Sequence, residues 1–186
     1  SQVPLLAAAI VGEAYGFTTP YAQSPGWRER YGDQEISQFA GAELIAEKWD
    51  ISREEMEQFA LESHRRAAVA QDEGRFSNEI APLNGLDHDE GVRRDTTLER
   101  MAQLAPLREG GRITAAVSSQ ISDASSAVLI ASTRAVREHG LTPRARIHQM
   151  TVRGASPVLM LTAPIPATRH ALERAGLGIC DIDLFE

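Results

Sequence analysis

The chain has 186 residues, and its 19 Lys and Arg against 26 Asp and Glu give a formal net charge of −7. No run of Lys or Arg exceeds two, so an acidic chain of this kind offers no nucleic-acid surface, and no apolar run reaches the length of a membrane span. A 42% hydrophobic and 24% charged share suits a globular protein, and the single cysteine, Cys180, excludes an internal disulfide and fits a reducing compartment such as the cytoplasm.

Residues 1–16 are Ala-rich with Gly12 and Gly16, and read as a short helix or linker. They lack the basic start of a signal peptide. Residues 18–33 hold Pro20, Pro25 and the aromatics Tyr21, Trp27 and Tyr31, which suggests an irregular, packed surface loop. From Ser37 to Trp49, the apolar positions Phe39, Ala42, Ile45, Ala46 and Trp49 recur at helical spacing. The next helix opens on a capping box, Ser52-Arg53-Glu54-Glu55, and Gly74 closes it. Met56, Phe59, Ala60, Ser63, Ala67 and Ala70 make its expected buried stripe, and His64 reads as a solvated or edge histidine.

Residues 76–83 read as a strand running into a turn at Asn84-Gly85. Asp87-His88-Asp89-Glu90 looks like a set of metal ligands, but neighbours in an acidic turn do not converge on one ion unaided, so no metal is expected. A brief helix is expected from Thr97 to Leu107, ended by Pro106.

The central stretch runs from Gly111 to Ser132. Arg112 to Ala115, with β-branched Ile113 and Thr114 after Gly110-Gly111, reads as a strand. Ser and Asp dominate residues 118–126, and the apolar run Ala127–Ala131 then starts an expected helix reaching His139 and closed by Gly140. Small residues at such a turn let a ligand approach the backbone and the free N–H groups of a helix start. The same pattern also serves a tight strand-to-helix connection, capped by Ser or Asp, with no ligand. Residues 143–152 read as a further strand, with His148 in the sheet. Pro164-Ile165-Pro166 precedes an expected helix from Ala167 to Ala175, with Gly176 at its end. Cys180 follows that helix beside Asp181 and Asp183, without the helix N-terminus and nearby base of a catalytic thiol, and reads as structural.

TAAVSSQISDASSAVLIAS (Thr114 to Ser132) resembles the thiolase segment TAGNxSxxxDGAAAxLLxS. AGAELIAEKWDISREEMEQFALESHRRA (Ala40 to Ala67), VRRDTTLERMAQLAPL (Val92 to Leu107) and MLTAPIPATRHALERAGLGICDIDLFE (Met160 to Glu186) resemble thiolases in the same order. The resemblance implies an α/β fold, the layered αβαβα thiolase arrangement, here partial, with a mostly helical inserted loop domain. Residues 1–111 would then be loop domain, 112–142 the last strand and helix of the N-terminal half, and 143–186 the start of the C-terminal half. The family's nucleophilic cysteine lies before the position matching Ser1, and its catalytic histidine and second cysteine lie beyond Glu186. No catalytic residue is therefore expected among these residues, which would form the middle of a longer polypeptide.

The resemblance also implies the chemistry: acyl transfer between a 3-ketoacyl-CoA and coenzyme A, in fatty-acid or steroid side-chain degradation. Coenzyme A and acyl-CoA would be substrates, with no tightly bound cofactor, and the protein a homodimer or homotetramer. Arg93 stands where an arginine commonly contacts the nucleotide end of coenzyme A, with Arg94 and Arg100 as second choices. Ser119 stands where a serine bonds the pantetheine amide, with Ala115 and Ser118 beside it. Two departures affect the acyl pocket: Ala116-Val117 replaces Gly-Asn, and Ser37-Gln38 occupies the place of a His-Met pair. A third is Ala124, in place of the glycine after Asp123. Val117 and Gln38 thus point to a pocket shaped for something other than acetoacetyl, similar to actinobacterial steroid side-chain thiolases. The alternative is a non-catalytic thiolase-like subunit that binds CoA esters or lipids as a scaffold.

Overall fold

The computed structural model describes residues 11–17 and 24–186. Of the expected N-terminal helix, only residues 11–13 are helical among those described, and residues 18–23 of the expected loop lie outside them. The rest of that loop is helical instead. Ser24 caps α1, Pro25–Tyr31, by accepting the Trp27 N–H at 3.2 Å, and Pro25 sits in the first turn where its missing N–H costs nothing. Trp27 and Tyr31 stack one turn apart, with ring centroids 4.6 Å apart.

Helix α2, Gln38–Lys48, starts at Ser37, whose hydroxyl accepts the Ala40 N–H. It buries small residues, Ala40, Gly41 and Ala46, and leaves Phe39 and Trp49 exposed. Gly41 is small for a reason: a Cβ there would stand 2.9 Å from the Leu159 carbonyl oxygen. Helix α3, Arg53–Asp72, carries both arms of the expected capping box, Ser52 N–H to Glu55 at 2.8 Å and Glu55 N–H to Ser52 at 3.1 Å. Its buried stripe is rotated from the expected one. Glu57 is 4% exposed and Phe59 79%. The cause is Arg53, which donates to Glu57 at 2.7 Å and to the carbonyls of Met101 and Leu104 at 2.8 and 2.9 Å. The ion pair is thereby turned inward beside α4, Leu98–Ala102.

Helix α4 is shorter than the expected span to Leu107. Leu107 instead donates its N–H to Ile113 and Pro106 bridges to Thr114, folding residues 107–113 into a closed loop. The expected strand over Arg112–Ala115 is therefore an isolated bridge at Thr114 followed by a 3-10 turn, η1, Ala115–Val117. The N–H groups of Arg112 and Ile113 go to the Glu43 carboxylate, at 2.8 to 3.0 Å and 2.8 Å. Arg112 returns its guanidinium to the carbonyls of Ala46 and Ile51. This reciprocal pairing ties α2 to the entry of η1, and Gly111 leaves room for the Glu43 carboxylate where a Cβ would collide.

Residues 76–80 form turns, and a tight turn follows, with Leu83 and Leu86 exchanging backbone hydrogen bonds around Asn84-Gly85. The expected helix from Ala127 is confined to α5, Thr133–Glu138; Val128, Leu129 and Ile130 before it lie in no helix or strand and are at least 75% exposed. Residues 143–152 make no strand either. No strand is present among the described residues, because a β segment needs a paired neighbour for its backbone groups. Helix α6, Pro164–Ala175, begins three residues earlier than expected and ends on Gly176 in the left-handed conformation. The core formed by these elements sits where α3 meets α4 and η1.

Removing Glu43 strands two backbone N–H groups, so Glu43→Ala should cost about 2 kcal/mol or more in denaturant unfolding, and Glu43→Gln less. A second expectation concerns pH. Arg65 and Arg66 hydrogen-bond the Glu62 carboxylate and bring its pKa from an ordinary 4.5 to about 2. A lowered folded-state pKa means this stabilisation is complete above pH 4.5 and lost as pH falls toward 2. The stability gap between Glu62→Gln and the parent should be flat above pH 4.5, close below it, and shrink in 1 M salt because the group is exposed.

Candidate functional site

A cleft of about 310 Å³ opens where α3, α4 and η1 converge. Helix α3 contributes His64, and the loop before α4 contributes Arg93 and Thr96. Arg100, Met101 and Leu104 form one wall, and Ala115, Ala116, Ser118 and Gln120 the facing one. The lining thus mixes hydroxyls, an imidazole, an amide and guanidinium groups with methionine, leucine and two alanines.

The three neighbouring arginines differ in what occupies them. Arg94 turns to Asp72 at 2.9 Å and Gln71 at 3.0 Å. Arg100 donates to the Asp95 carbonyl at 2.7 Å and carboxylate at 2.6 Å, and its hydrogen bond holds the Asp95 carboxyl below the ordinary carboxylate range. The Arg93 guanidinium makes no hydrogen bond or salt bridge among the described residues, although its charge also helps to lower the pKa of the Asp95 carboxyl. It is the one of the three left with its donors available for an anion.

Among the residues singled out from sequence, Arg93, Ala115 and Ser118 come together at this cleft. The Ser118 hydroxyl donates to the Thr114 carbonyl at 2.9 Å, which leaves its lone pairs as acceptors. Ser119 is exposed and is not on the lining; Val117 ends η1 with its N–H on Thr114, and Gln38 starts α2 on another part of the surface. His64 is the lining residue that sequence reading set aside. Its Nδ1 accepts the Arg93 backbone N–H at 3.2 Å. The signal available was its place one turn after Ala60 and one before Ala68, on the face that α3 turns inward.

The loop carrying Arg93 is held by side chains. Gln71 donates to the Asp89 carbonyl at 2.8 Å, the Asp89 carboxylate accepts the Gly91 N–H at 2.8 Å, and Gln120 donates to the Gly91 carbonyl. Asp87 pairs with His88 at 2.8 Å, so the acidic turn uses its side chains locally, and no group of three metal-ligating side chains gathers among the described residues. A second depression, between α2 and residues 108–112, contains Glu43, whose carboxylate is already committed to the backbone. Cys180 is an exposed free thiol in a 3-10 turn, Ile179–Asp181.

Comparison with known proteins decides the family. Residues 31–134 match the thiolase N-terminal domain and residues 141–186 the thiolase C-terminal domain. The chain belongs to the thiolase family. Over its full length it is 58% identical to steroid 3-ketoacyl-CoA thiolase FadA6 of Mycobacterium tuberculosis, covering 46% of that protein. Over 78% of its length it is 46% identical to a 3-ketoacyl-CoA thiolase of Vibrio vulnificus, covering 40% of it. The chain therefore spans about half the length of the curated relatives it matches, or less.

Solved thiolases give the fold. The crystal structure of the Bacillus anthracis acetyl-CoA acetyltransferase matches 82% of this chain with a TM-score of 0.74 at 34% identity, over 41% of that chain. Human mitochondrial 3-ketoacyl-CoA thiolase in complex with CoA matches 78% of this chain with a TM-score of 0.69 at 39% identity, over 38% of that chain. The expected α/β thiolase fold thus holds, present here as a partial, helix-rich portion. No described helix is long and apolar enough to cross a membrane.

The Gly91 position is crowded: a Cβ there would stand 3.0 Å from the Asp89 carboxylate and 3.2 Å from the Gln120 amide. Gly91→Ala should loosen this loop and speed amide exchange at residues 91–93, while the exchange of α3 amides stays unchanged.

Proposed function

We propose that this chain works within a thiolase that transfers an acyl group between a 3-ketoacyl-CoA and coenzyme A, supplying the cradle for the CoA moiety. The observation that carries the reading is Arg93, its guanidinium in no hydrogen bond or salt bridge among the described residues, on the lining of a cleft shared with Met101, Leu104, Ala115, Ala116 and Ser118. Coenzyme A asks for that combination. Its phosphates need a forked cation, its adenine an apolar or guanidinium face, and its pantetheine arm a backbone without bulky side chains and a few hydroxyl or amide partners. In this reading Arg93 takes the nucleotide end, and Ala115 and Ser118 flank the pantetheine arm, with Ser119 next to them outside the cleft lining. Carbon–carbon bond cleavage itself needs a thiolate nucleophile and acid–base partners, and none of the residues in this cleft takes those roles.

Relatives named as 3-ketoacyl-CoA thiolases support an enzyme over a scaffold subunit. Identity of 58% to a protein named a steroid thiolase supports a bulky acyl group, of the kind released in steroid side-chain degradation, with Gln38 and Val117 as pocket residues. Residues 1–111 would act as loop domain, 112–142 as the end of the first half and 143–186 as the start of the second. A cytoplasmic homodimer or homotetramer completes the proposal, with CoA bound as substrate only.

The test is calorimetric titration of the complete polypeptide with coenzyme A. Loss of a charge-assisted contact worth about 1.5–3 kcal/mol should make Arg93→Ala bind about 10- to 100-fold more weakly, with melting unchanged. Equal affinity in the variant removes Arg93 from the site, and absence of heat in the parent removes the function.

A further inference from the structure

The position of Arg93 depends on a group outside its own segment. Residues 87–96 contain no helix or strand, so no regular hydrogen-bond ladder fixes their backbone. Side chains hold it instead: Gln71 on the Asp89 carbonyl, Gln120 on the Gly91 carbonyl, and His64 Nδ1 on the Arg93 N–H. Of these, the His64 bond lies on the very residue whose guanidinium makes no hydrogen bond or salt bridge among the described residues. His64 projects from the middle of α3, whose N-terminal end is anchored through Arg53 to the carbonyls of Met101 and Leu104. A rigid helix thus offers a fixed acceptor to an otherwise irregular loop.

We propose that His64 is a positioning residue for coenzyme A binding: its Nδ1 lone pair pins the Arg93 backbone, and this sets where the guanidinium meets the nucleotide end. The proposal rests on the CoA reading above for its consequence, and on the His64–Arg93 hydrogen bond for its cause. The role belongs to the acceptor at Nδ1 and not to the bulk of the ring. An asparagine side chain places an amide oxygen close to where Nδ1 stands, whereas glutamine reaches to the Nε2 position and leucine supplies no acceptor.

That difference gives the experiment. His64→Asn, His64→Gln and His64→Leu are compared with the parent in the complete polypeptide, by calorimetric titration with coenzyme A and by hydrogen exchange of the Arg93 amide. The expected result is parent-like affinity and protection in His64→Asn, with affinity about 3- to 10-fold weaker and faster exchange in the other two, the loss of one hydrogen bond. Should His64→Leu fail to fold, the Asn and Gln pair carries the same comparison. Parent-like affinity and exchange in His64→Gln or His64→Leu overturn the proposal, as does equal weakening in all three, which would make the ring a packing element. Should the parent bind no coenzyme A, the functional reading falls alone. Amide exchange then decides the positioning claim: acceleration in His64→Gln and His64→Leu but not in His64→Asn upholds it, and uniform rates overturn it.

Discussion

One guanidinium organises the part of the molecule that carries the cleft. Arg53, in the first turn of α3, reaches Glu57 on its own helix and the carbonyl oxygens of Met101 in α4 and Leu104 just beyond it. The Met101 carbonyl also accepts the Leu104 N–H, and Leu104 follows the helix by two residues, so the guanidinium braces the turn that ends α4 and suits its negative pole. The cost of burying Glu57 is offset because its partner is already committed to the same spot, and removing either charge would leave the other uncompensated. With α4 held this way against α3, Met101 and Leu104 face His64 and η1 across a gap, and the gap is the cleft.

The opposite wall is held by a carboxylate and not by a sheet. Glu43 accepts the N–H groups of Arg112 and Ile113, while Arg112 answers on Ala46 and Ile51. Backbone groups that a neighbouring strand would otherwise satisfy are met here by side chains from α2 and its following turn. That arrangement leaves Thr114 fully buried and sends the chain into η1 with Ala115, Ala116 and Ser118 toward the cleft. Apolar side chains further along, at Val128 to Ile130 and at Ile147, Met150 and Val152, are uncovered in this portion. They are the residues whose alternation and branching suggested strand or buried helix, and their burial depends on partners that the described residues do not provide.

A thiolase must hold a long, charged carrier while a reactive carbon is worked on some distance away. Division of labour follows from that length. In the proposed reading, a forked cation and small residues hold the carrier, and binding energy gained there would be available to orient the acyl end. On the proposed reading, the departures from the usual Gly-Asn pair at Ala116-Val117 would alter the wall beside the carrier and leave Arg93, at the nucleotide end, in place. In the proposed reading, affinity for the carrier and shape of the acyl site would rest on separate residues.

Local chemistry made much of the helical portion legible from sequence. Ser52 and Glu55 announce the start of α3 because a hydroxyl and a carboxylate three residues apart satisfy each other's backbone donors. Ser37, Thr97 and Gly176 mark other helix ends for equally local reasons. The family signature likewise sits in contiguous residues, and with it Arg93, Ala115 and Ser118. What the sequence alone could not supply were relations between distant positions. Rotation of the α3 stripe toward Glu57 came from Arg53 finding carbonyls 48 and 51 residues away. The place of His64 at the cleft needed Arg93, 29 residues on, to present its N–H. Strands expected at 112–115 and 143–152 share the same dependence, since strand propensity lies in one segment and the hydrogen bonds lie with another. Short-range capping is written residue by residue; pairing and burial belong to whatever the fold brings alongside.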